Sequence, residues 1–239
     1  MRMRIRTWSL VFVLACSAPA MSAAPAESTP NDAAPAANAD AEAQYNKDLN
    51  KRGDDTIAAL KLDDTAKAER VKQLVMNQYR SLRTLHDARD AKLKEIPKDD
   101  KAAIDKTKAD TEAAIKPLHD EFVSKLSAEL TPEQVEIVKD KMTMGRVKHD
   151  WGGFTDMLPN LTAEQKDYIL TQLKEAREIA MDKGSSQEKH GVFDKYRGRI
   201  NNYLSKQGYD LKQASKDWAD RRKAREAQAK QAGATQPAN

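Results

Sequence analysis

The chain has 239 residues, of which 33% are charged, 39% hydrophobic and 5% aromatic, with one cysteine and a formal charge of +4. That length suits one domain or two closely packed helical halves. The only cysteine, Cys16, falls within a segment expected to be removed, which excludes a disulfide framework, a thiolate metal site and a thiol nucleophile from the mature chain.

Arg2, Arg4 and Arg6 precede an apolar stretch from Trp8 to Ala15 and then the small residues Ala18 to Ala24, the pattern of a secretory signal peptide over 1–24. Its apolar core is too short for a stable transmembrane helix, so the protein is expected to be exported to the periplasm or beyond. Val13-Leu14-Ala15-Cys16 also resembles a lipoprotein cleavage box, with Cys16 as the acylated residue. Losing three arginines leaves the mature chain near neutral, which argues against nucleic acid as a partner. Residues 25–41 are Ala, Pro, Asn and Ser with little to bury and read as a disordered linker. The helical domain then spans 42–229, and 230–239 reads as a disordered tail.

Val71, Val75, Tyr79, Leu82, Leu85, Arg89 and Leu93 recur at three- and four-residue steps, predicting a long helix that starts near Asp63 or Asp64 and stops before Pro97. Ile104, Thr111, Ile115, Leu118, Phe122 and Leu126 make a second stripe, which Pro117 should kink or divide. A helix-start phrase then occurs twice, Leu130-Thr131-Pro132-Glu133-Gln134 and Leu161-Thr162-Ala163-Glu164-Gln165. In each copy the Thr hydroxyl can accept from the backbone N–H three residues on while Gln reaches back to the Thr backbone. Leu130 and Val135 have the spacing of a hydrophobic staple. The second phrase opens a helix carrying Ile169, Leu173, Ala176 and Ala180, which Gly184 is expected to end. Ser185 with Glu188 is a third capping box, before the face of Phe193, Tyr196, Ile200 and Leu204, with Gly208 as the stop. Asp210 with Gln213 can cap a last helix. No strand pattern emerges, and the expected fold is all-α, an irregular antiparallel bundle of about six to seven helices in one domain.

Met144 to Phe154 is the one stretch without a helical reading, because Gly145, Gly152 and Gly153 disfavour helix; it is expected to be a bent crossover loop. Trp151 and Phe154 would pin such a loop onto the bundle; the alternative makes Trp151 a flat apolar platform for a sugar face or a hydrophobic partner, with Arg146, His149 and Asp150 supplying polar contacts. A second set, Tyr196, Arg197, Asn201 and Tyr203, alternates aromatic and polar side chains around one helix, where Gly198 suggests a close approach. A guanidinium there could bind the carboxylate of a uronic-type sugar in bidentate fashion. His86, His119, His149 and His190 lack metal-ligand spacing, and no catalytic residue, cofactor or metal is assigned.

From about Asp54 to Lys223 the sequence resembles a secreted bacterial family known as domain of unknown function 3826, to which a sugar-binding role has been ascribed. The resemblance rests on Thr65 to Val71, Gln78-Tyr79-Arg80, His86 to Asp90, Leu130 to Val135, Asp140-Lys141 with Gly145-Arg146-Val147, Leu158 to Thr162, Ala176-Arg177-Glu178 and Tyr196 to Gly208. It implies an extracytoplasmic helical protein of bacteria that degrade plant polysaccharide, with no catalytic residues to carry over. The leading expectation is a non-catalytic protein with oligosaccharide or polysaccharide fragments as partners. The Leu-Thr-x-x-Gln phrase is also similar to a motif of periplasmic helical chaperones. That resemblance implies the alternative, a chaperone or an envelope-stress interaction protein.

Overall fold

Local helix-start chemistry and two apolar clusters shape the protein, whose computed structural model describes residues 33–234, with side chains from 39 to 229. The expected signal peptide lies outside the described residues. The chain divides into two compact units, Met1–Glu42 and Ala43–Asn239. Beyond the opening of its first helix, all that follows concerns the second. Eight helices and no strand occur among the described residues: α1 (Ala33–Leu60), α2 (Thr65–Glu95), α3 (Lys101–Glu129), α4 (Pro132–Met142), α5 (Arg146–Met157), α6 (Ala163–Ala180), α7 (Ser186–Lys206) and α8 (Leu211–Ala234). None is long and apolar enough to cross a membrane.

The all-α expectation holds, with eight helices where six to seven were expected. One addition is α1, which begins inside the stretch read as a linker; alanine, the strongest helix former, supplies its first turns. The other is α5, and it corrects the crossover reading. Met144 and Gly145 take left-handed φ values of 59° and 64°, completing the bend within two residues. Arg146 onward is then free to be helical, and Val147 and Phe154, two turns apart, are buried on the same face. Burial of that face outweighs the poor helix propensity of Gly152 and Gly153.

The start signals are realised as written. Thr131 Oγ1 accepts from Gln134 N at 3.3 Å while Gln134 Oε1 accepts from Thr131 N at 3.1 Å. Thr162 with Gln165, and Ser185 with Glu188, repeat the arrangement. Asp64, Asp100 and Asp210 cap α2, α3 and α8 through single side-chain bonds. Each cap contributes about 1 kcal/mol. Pro117 does not divide α3, which continues through it; it sits on the exposed face, where water can hydrate the carbonyl that its missing N–H leaves unpaired. Gly208, at φ 91°, ends α7 as expected, whereas α6 stops at Ala180, before Gly184.

Two clusters form the core. One gathers Val71 and Val75 of α2, Phe122 and Leu126 of α3, and Val135, Val138 and Met142 of α4, together with Met181 from beyond α6. The other gathers Val147 and Phe154 of α5, Ile169 and Leu173 of α6, and Phe193, Ile200 and Leu204 of α7. Between them α4 and α6 meet along polar side chains. Arg177, 2% exposed, binds Glu136 at 2.6 Å and Asp140 at 2.8 Å.

A Cβ added at Gly152 or Gly198 meets nothing within 4 Å. Gly152→Ala and Gly198→Ala should therefore each raise the unfolding free energy by roughly 0.5–1 kcal/mol, while Gly145→Ala, at positive φ, should lower it by about 1 kcal/mol. Denaturant titration checks both signs, and a destabilised Gly198→Ala would mean that its helix face is not open.

Candidate functional site

A cleft of about 790 Å³ has Tyr45 and Arg52 of α1 and Tyr79, Arg83, His86 and Arg89 of α2 among its walls. Its remaining walls come from the end of α4, the turn after α6 and the start of α7. A smaller cavity of about 420 Å³ shares His86, Arg89, Asp90, Lys183 and Glu188 with it.

Lys189 is the most perturbed group in the cleft. It is 6% exposed, and its Nζ donates to the carbonyl of Met142 at 2.8 Å and lies 3.5 Å from that of Met181. The ammonium thus caps the C-terminal ends of α4 and α6 together, where helix dipoles favour positive charge. Burial pushes its pKa down to about 8, Arg52 pushes the same way, and Asp182 opposes. Tyr79 lies between cations: the Arg52 guanidinium is 5.2 Å and Lys189 Nζ 5.4 Å from its ring centre. Burial holds the Tyr79 phenol above its ordinary value. The Tyr45 ring carries the Arg83 guanidinium at 3.9 Å.

His86 Nε2 lies 2.7 Å from the Asp182 carbonyl, which can only accept, so Nε2 carries the proton. Its Nδ1 is buried with no partner, as is Tyr45 Oη. Gly184 permits this placement, because a Cβ there would come within 2.9 Å of the imidazole. The close approach that the sequence suggested at Gly198 is found at Gly184 instead. The Asp182 carboxylate binds His119 Nδ1 of α3 at 2.7 Å, with Glu178 at 3.8 Å from the other ring nitrogen.

The residues singled out from sequence lie elsewhere. Asp150, buried on α5, is bound by Arg146 at 2.9 Å and His149 at 3.0 Å, with Arg197 of α7 at 3.7 Å. Arg197 also pairs with Asp194. These four residues are brought together, as a charged clamp between α5 and α7. Trp151 packs half-buried on the core, Tyr196 is buried beneath Arg199, Tyr203 stacks on Tyr168 at 3.9 Å, and Asn201 is exposed. His149 borders a shallow groove beside Trp218 and Arg225 of α8. The cleft residues come from four separate stretches of chain; Gly184 beside a capping box and the family-like run around Tyr79 and His86 were local signals, but neither marks a cleft. Among the described residues no group of three or more His, Cys, Asp or Glu side chains is placed to hold a metal ion.

The bond to Asp182 raises the His119 pKa above 6.5, with Glu178 assisting and burial and Lys139 opposing. Its stabilisation is therefore full below the unfolded value and is lost as pH rises through the raised folded value. His119→Gln should be less stable than wild type at about pH 5.5, with the gap narrowing by about pH 8.5. Denaturant midpoints at the two pH values test this; a gap that widens with pH would contradict the assignment.

No curated protein matches the chain. The family model described as protein of unknown function DUF3826 matches residues 46–224. Matched over most of its length, the chain belongs to the DUF3826 family.

Proposed function

We propose that this is an exported, non-catalytic carbohydrate-binding protein that serves polysaccharide use, and that its ligand occupies the cleft between α1, α2 and the start of α7. The observation that carries the reading is the cleft itself. Its volume of about 790 Å³ lies in the range of small-molecule sites, and its walls are dominated by hydrogen-bonding side chains. Tyr45 and His86, two of the lining residues, keep Oη and Nδ1 buried without protein partners, and hydroxyl-rich ligands supply both donors and acceptors. The Lys189 amine is engaged by main-chain carbonyls, which favours a binding role over a nucleophilic one. The leader sequence supports export. The two Leu-Thr-x-x-Gln phrases are both engaged in capping boxes, which accounts for them without a client-binding groove.

Calorimetric titration with plant-wall oligosaccharides tests the proposal. Ser186→Trp, at an exposed position on the cleft rim, should weaken binding by at least about tenfold, equivalent to about 1.4 kcal/mol. Arg197→Ala, on the α5–α7 clamp, should leave it unchanged. The reverse ranking would move the ligand to the clamp and Trp151, and absence of binding across the panel would remove the carbohydrate reading.

A further inference from the structure

We propose that the cleft selects an anionic sugar, a uronate or a sulfate ester, over its neutral counterpart, and that Arg52, Lys141 and Lys189 make the selection. The inference rests on the carbohydrate reading and sharpens it to a ligand class.

The cleft walls hold six cationic side chains and three anionic ones. The pairs partly cancel: Arg89 bridges Asp90 and Glu188, Arg83 reaches Asp87, and Lys183 reaches Glu112 outside the cleft. Arg52, Lys141 and Lys189 make no ion pair among the described residues, and all three border the same cavity. They converge from three helices. Arg52 and Lys189 share the Tyr79 ring, and the carbonyl that receives Lys189 belongs to Met142, the neighbour of Lys141. The acid that most affects Lys189, Asp182, already binds His119.

Asp55, the acid that Lys141 acts on, is paired with Lys51; a pocket whose cations outnumber its acids attracts an anion, and a partly dry wall strengthens that attraction. Aromatic placement points the same way. A neutral sugar is commonly held by laying its C–H face on an open ring, but Tyr79 and Tyr45 carry cations over their rings. What these walls offer a ligand is charge and hydrogen bonds. Guanidinium suits carboxylate and sulfate oxygens, and the two lysines act as point charges. The charged groups that act on Lys189 are Arg52 from α1 and Asp182 after α6, beside the Tyr79 ring of α2, while Glu188, next to it on α7, is paired with Arg89. A bound anion adds negative charge beside Lys189, which stabilises the ammonium and draws a proton onto it on binding.

The test uses matched ligands at low salt: a uronate oligomer and its methyl ester, a sulfated sugar and its unsulfated form, and inorganic sulfate. The acidic sugars should bind at least about tenfold tighter than their neutral partners. Arg52→Gln and Lys141→Gln, both at exposed positions, should narrow that preference by about three- to tenfold while leaving affinity for the ester unchanged. Titration near pH 8.5 in two buffers of different ionisation enthalpy should show proton uptake with acidic sugars only. Equal affinity for acid and ester, or a preference intact in both variants, overturns the selection while leaving carbohydrate binding in place. Binding of no sugar at all, with or without sulfate binding, overturns both.

Discussion

The seam between α4 and α6 depends on two buried cations. Arg177 enters from α6 and finds Glu136 and Asp140 one turn apart on α4, with Glu178 beside it. Removing a guanidinium from water is unfavourable unless carboxylates and hydrogen bonds replace the hydration, and here three acids do so while remaining partly hydrated themselves. At the far end of the seam Lys189 holds the last carbonyl of α4 and reaches the one just past α6. The two helices therefore run side by side and finish at the same point, with α5 as the return between them. Two apolar clusters are joined by charge along this line.

The cleft follows from that join. A polar seam fixes where α4 and α6 end, α7 starts from the turn just beyond, and α1 and α2 supply the opposite wall. Because Lys189 is both the cap on two helix ends and a wall of the cleft, the architecture places a positive charge in the site that structural needs alone do not neutralise. His86 is similar: one ring nitrogen is tied to the Asp182 carbonyl and the other is left with none. Groups that hold the fold with one atom and leave another unmatched are the natural places for a ligand to act.

Most of the fold was legible because its signals are local. Capping boxes, periodic apolar residues and αL glycines act within four or five residues of themselves, and Thr131, Thr162, Ser185, Asp210 and Gly208 act as the sequence implies. The segment from Arg146 to Met157 was misread because two glycines outweigh the buried spacing of Val147 and Phe154 when propensity alone is weighed, whereas tertiary burial decides the outcome. The site was less accessible. Arg52, Tyr79, Lys141 and Lys189 are unremarkable members of charged helices until three-dimensional packing sets them together, and a lysine does not show in sequence whether it will be buried. Arg146, His149, Asp150 and Arg197 were recognised as a polar set, and the fold does bring them together, but through a buried carboxylate that ties two helices.

Met181 belongs by sequence to the end of α6 and by packing to the cluster built from α2, α3 and α4, where it is fully buried. The earlier half of the chain therefore lacks one fully buried side chain of its own cluster until the later half supplies it. Neither half can reach its final density alone, so the two should melt as one cooperative unit, and nascent chains ending before α6 should remain loosely packed until that thioether arrives.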